Sequence, residues 1–158
     1  MARYSVSNNL GGTMQAMGSS YKTLLALTCQ TSPLGRFKIY EWKAGTVGAP
    51  ADNYIEYDIS RQVSAGTATS VTANPLDSAD APASTVCVAN ATAEGTITAA
   101  SSIDYWPVNQ RASVRWAAAG DEDMLVAPAV NNAGFAFRAK SSVSGYAGLI
   151  GVSIRFKE

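Results

Sequence analysis

The sequence predicts an all-β protein, an antiparallel sandwich or barrel. Three observations point there. Short segments alternate apolar and polar residues with a period of two, as strands with one buried face do. Turn signals built on Gly, Pro, Asn and Asp separate them at regular spacing. No segment holds a helical stripe for three turns, and helices between strands are missing, which argues against a parallel α/β sheet. A chain of 158 residues, 47% of them hydrophobic, fits a single domain with a real core.

Met1 to Ser20 is polar and lacks sustained periodicity. It reads as an extended N-terminal arm, residues 1–20, ordered by a neighbour, with one helical turn at Met14–Met17. The single β-sandwich domain then spans 21–158. In the first strand Tyr21, Leu25, Leu27 and Cys29 share a face, and the breakers Pro33 and Gly35 end it. Arg36 to Lys43 is the second strand, with Phe37 and Ile39 on one side and Tyr40 and Trp42 on the other, so neither face is fully exposed. A Gly-rich loop ending at Pro50–Asn53 leads into Tyr54–Val63, the cleanest alternation. Ile55, Tyr57, Ile59 and Val63 point to the core there, and Glu56, Asp58 and Ser60 to water.

Thr67–Ala73 is a short β-branched strand, and Asn74–Pro82 a loop in which Asp77 or Ser78 caps one helical turn. Thr85–Val88 and Thr96–Ala99 return to strand, and Ile103–Val108 is irregular and aromatic. Arg111–Ala117 sets Ala112, Val114 and Trp116 against Ser113 and Arg115. Met124–Ala127 is short and apolar. Phe135–Lys140 sets Phe135, Phe137 and Ala139 against Arg138 and Lys140. The last strand, Leu149–Phe156, puts Ile150, Val152, Ile154 and Phe156 inward.

Composition narrows function. Twelve basic and twelve acidic residues cancel, and only 15% of the chain is charged, against ~25% on average. Such a neutral surface suits a protein that works against other protein. No run of Lys or Arg marks a nucleic-acid footprint, and no stretch approaches a membrane span or a secretory signal. The chain is expected to bind neither nucleic acid nor membrane. Cys29 and Cys87 lie in apolar strand patterns and read as buried free thiols in a reducing compartment; a disulfide would need neighbouring strands.

Reactive chemistry is hard to assemble from these residues. The chain has no histidine, which removes the commonest neutral-pH base and metal ligand. Asp121, Glu122 and Asp123 lack the spacing of a Ca²⁺ loop and read as a solvated turn. Glu56 and Asp58 read as an exposed strand face rather than a glycosidase pair. Tyr105 and Trp106 beside Pro107 are candidates for an exposed contact or a sugar-stacking platform, while Trp116 reads as core. No enzyme, no cofactor and no metal site is expected.

Segment by segment, the chain resembles the head decoration (capsid cement) proteins of tailed bacteriophages. The order is an ARYS start at Ala2–Ser5, TLLALT at Thr23–Thr28 and FKIYEW at Phe37–Trp42, then PADN at Pro50–Asn53 and YIEYDISRQ at Tyr54–Gln62. Small residues at Gly66–Thr67, TANPLDSADA at Thr72–Ala81, NQRASVRW at Asn109–Trp116 and FAFRA at Phe135–Ala139 complete it. The resemblance implies a jelly-roll or tumour-necrosis-factor-like sandwich made in the host bacterial cytoplasm. It implies a structural virion protein on the capsid exterior, a homotrimer at three-fold positions whose partner is the major capsid protein. A fibre-head or lectin-like module that binds glycan or receptor is the alternative. On the cement reading, Arg3, Tyr4 and Leu10 of the arm are expected to tie to the capsid. Tyr40, Trp42, Tyr105 and Trp106 are expected at the trimer interface.

Overall fold

A computed structural model describes residues 1–30, 32, 34–48, 51–141 and 148–158; Pro33 of the predicted turn and Pro50 of the predicted loop lie outside the described residues. Thirteen strands are found among the described residues. The first six are β1 (Arg3–Ser7), β2 (Gln15–Ala16), β3 (Lys22–Thr28), β4 (Lys38–Val47), β5 (Tyr54–Ser64) and β6 (Thr67–Val71). Then follow β7 (Asn74–Pro75), β8 (Val86–Ala93), β9 (Thr96–Asn109), β10 (Val114–Ala117), β11 (Leu125–Val126), β12 (Gly134–Ser141) and β13 (Leu149–Lys157). Among the described residues no helix is long and apolar enough to cross a membrane.

The strands form two antiparallel sheets packed face to face. One runs β10-β4-β13-β1-β7, with β11 beside β4 and β2 beside β13; the other runs β6-β8-β3-β12-β5-β9. Alternation explains the clearest members. In β13, Ile150, Val152, Ile154 and Phe156 are buried in turn, and in β12 Phe135, Phe137 and Ala139 are. Aromatic rings join the sheets: Phe37 meets Phe135 and Phe156 edge-on at 6.0 and 5.9 Å, and Trp42 meets Phe137 at 4.9 Å. Each such ring contributes about 1.5–3 kcal/mol by leaving water.

The predicted arm is not an arm. Residues 3–7 form an interior strand of the seven-membered sheet, paired with β13 along their length and with β7 on the other side. Tyr4 and Val6 are buried, and Tyr4 stacks on Phe156 at 5.4 Å. Asn8 is fully buried and extends the ladder through its side chain, which donates to the Ile150 carbonyl (2.9 Å) and accepts from the Val152 amide (2.8 Å). The helical turn predicted at 14–17 is instead the two-residue β2, held on β13.

Bulges account for most other differences. A register shift between Phe137 and Arg138 leaves Leu24 as an extra residue in β3, so Tyr21 falls on the face opposite Leu25 and Leu27. A shift between Arg155 and Phe156 makes Tyr40 the extra residue in β4. Ile39 and Trp42, which simple alternation separates, therefore both point into the core. In β5 the apolar face ends at Ile59, and Val63 is 53% exposed. Asp58 and Ser60, expected in water, are buried. The loop after β7 makes no helix; Asp77 closes a tight turn by accepting from the Ala79 amide (3.0 Å). Ile103–Val108 lies within strand β9, and its irregularity is a bulge at Ile103, where the pairing with β5 slips between Ile59 and Ser60.

Candidate functional site

The sandwich presents two outer sheet faces, and they differ in charge. On the six-stranded sheet, Arg138 and Asp58 are cross-strand neighbours, as are Lys140 and Glu56. Arg138 Nη2 reaches Asp58 Oδ2 at 2.6 Å, and Ser60 Oγ donates to the same oxygen at 2.7 Å. Ser102 donates to the other carboxylate oxygen. Lys140 pairs with Glu56 at 3.1 Å. Both cations also sit over the Tyr21 ring, at 4.8 and 4.9 Å. Burial, then the charges of Glu56 and Asp58, push the Tyr21 hydroxyl up to about 12. This cluster is internally neutralised, and its carboxylate is saturated with donors. It ties neighbouring strands of the sheet together.

The seven-stranded sheet carries an open trough of about 760 Å³ across β1, β13, β4 and β10. Its floor is small: Ser7, Ser153, Gly151 and Gly45, with Ser113 beside them. A side chain at Gly151 would press on Met14 Sδ at 3.2 Å. Glu41 is buried in the same face between Arg115 (2.8 Å) and Arg155 (3.0 Å).

The hydrogen bond from Arg115 and the neighbouring charge of Arg155 hold the Glu41 carboxyl below its ordinary range despite burial. A depressed folded-state pKa stabilises above the ordinary carboxylate pKa, and that stability is lost as pH falls through the depressed value. Glu41→Gln is therefore expected to flatten the fall in melting temperature between about pH 5 and pH 3. Scanning calorimetry across that range checks it, and an unchanged slope would contradict it.

The predicted contact residues scatter. Arg3 is exposed at the start of β1, and Leu10 is half-buried in a bridge with Thr13. Tyr4 is buried, its hydroxyl donating to the Ala81 carbonyl (2.9 Å), so it offers no surface to a partner. Trp42 is fully buried against Trp106 (4.8 Å) and Phe137 and likewise cannot meet a sister subunit. Tyr40 is half-buried at its bulge, Trp106 turns inward, and Tyr105 is 51% exposed. Adjacent residues of a strand face opposite ways, so Tyr105 and Trp106 do not form one stacking platform.

Cys29 and Cys87 are both buried free thiols. Burial raises both, Cys87 to about 12, which leaves them poor nucleophiles at neutral pH. Among the described residues no group of three or more acidic or thiol side chains is placed to hold a metal. The trough is hidden in the sequence because its floor consists of Ser and Gly from three strands, β1, β4 and β13, distant in the chain; only the outward phase of Gly151 and Ser153 signals it.

Compared with known proteins, the chain matches no family model, and no curated protein or solved structure shows significant similarity to it.

Proposed function

We propose that this chain is a structural decoration protein that binds the exterior of a phage head and cements the shell, as a homotrimer at three-fold positions. The observation that carries the reading is the open trough. It spreads over four strands with a floor of small side chains, a shape suited to another protein's surface rather than to an enclosed small molecule. The ordered segment resemblance and the neutral composition support it. Three copies on one axis present three equal contacts to the shell, so weak individual contacts suffice. A glycan-binding reading loses support because Trp106 packs on Trp42 instead of joining Tyr105.

Among the residues suggested for the trimer interface, Tyr105 is the exposed ring. Sedimentation velocity at micromolar concentration is expected to give a trimer, and Tyr105→Glu to shift it toward monomer. A monodisperse wild-type monomer would overturn the trimer.

A further inference from the structure

We propose that the outer face of the seven-stranded sheet is the docking surface, and that its partner is an acidic protein surface. The inference deepens the decoration reading, on which it rests, and moves the contact from the N-terminal segment to a sheet face. Strand register carries it. Arg3, Lys157 and Lys38 form one cross-strand row on the outward phase. Ser5, Arg155 and Glu41 form the next, and Ser7, Ser153, Lys43 and Arg115 the third. Six of the chain's twelve basic residues thus share one face.

The acids do not follow. Glu41 lies within the rows, and Asp121 reaches Lys157 from outside them at 2.8 Å. The face keeps about +4 in a chain of zero net charge, so the rest of the molecule carries the opposite excess. Arg3, Lys38 and Lys43 form no ion pair among the described residues. The other sheet's outer face shows the contrast, with Arg138 and Lys140 each matched to a carboxylate. Unmatched cations beside the small residues Ser7, Ser153 and Gly45, with Met14 covering Gly151, leave room for an acidic loop or strand to approach and complete the ion pairs.

A nucleic acid fits this face less well. Three unpaired cations fall short of the roughly 6–10 phosphate contacts of a typical DNA-binding surface.

The test uses the full chain and a deca-glutamate peptide, titrated by NMR at low salt and again at 200 mM, where the Debye length is about 7 Å. Amide shifts are expected at Ser7, Lys43, Gly45 and Ser153, with affinity falling several-fold at the higher salt. The double variant Arg3→Glu, Lys43→Glu changes two exposed side chains and is expected to keep the wild-type melting temperature while losing at least tenfold in affinity. If the variant melts early, Lys43→Gln alone serves, with a smaller loss expected. Shifts confined to other surfaces, or equal affinity in the variants, would overturn the docking face. A ten-nucleotide oligothymidylate that binds the same face more tightly than the peptide would overturn the choice of a protein partner. Sedimentation of the same samples separates the two readings: a trimer that ignores the peptide refutes the face alone, and a monomer that binds it refutes the trimeric cement.

Discussion

Removing residues 1–8 is expected to leave a chain without a cooperative unfolding transition. β1 lies between β13 and β7, so its loss strips Ser153–Lys157 of β13 of their ladder partners on one side. It also removes the buried Tyr4 and Val6, at about 1.5–3 kcal/mol each. The Asn8 side-chain bonds to Ile150 and Val152 go with them, worth about 0.5–1.5 kcal/mol apiece. The sum is comparable with the ~5–15 kcal/mol that holds an ordinary domain together. The newly bared edge of β13 would also invite aggregation. Thermal melting followed by circular dichroism checks this. A sharp transition near the wild-type temperature would show that the segment is an appendage after all.

Phe137→Ala is expected to cost about 3–5 kcal/mol. Phe137 is 1% exposed and sits where the sheets meet, 4.9 Å from the Trp42 ring and 6.0 Å from the Tyr57 ring. Both neighbours are themselves fully buried, so the space left behind cannot be filled by a swing from the surface. Urea denaturation at neutral pH measures the loss. A change under about 1 kcal/mol would mean that this strand face does not lie in the core. Ser113→Ala, at an exposed position on the trough margin, serves as the control and should stay within about 0.5 kcal/mol.

What the sequence made legible follows from strand regularity. β12 and β13 alternate without interruption through their apolar residues, and their inward faces were readable one residue at a time. The two-sided character of Phe37–Trp42 was also visible, but its cause was not. A bulge at Tyr40 reconciles Ile39 and Trp42 on one face, and a bulge depends on the partner strand, which local periodicity does not contain. Asp58 shows the same limit. As a lone carboxylate in an alternating strand it reads as wet, and it is buried because Arg138, eighty residues later, stands directly opposite. β1 carried its own signal, with Tyr4 and Val6 alternating against Arg3, Ser5 and Ser7, but five residues amid polar neighbours make a weak pattern. The basic face was beyond any linear reading. Arg3, Lys38, Lys43, Arg115, Arg155 and Lys157 come from four strands, and only the register gathers them.

The docking face and the trimer both bear on one claim, that the chain holds a shell together. The most direct measurement is cosedimentation of the purified protein with expanded phage capsid shells, followed by heating. Saturable binding of three copies per three-fold position and a higher temperature of shell disruption are expected. Shells that pellet without the protein, at micromolar concentration and low salt, would contradict it.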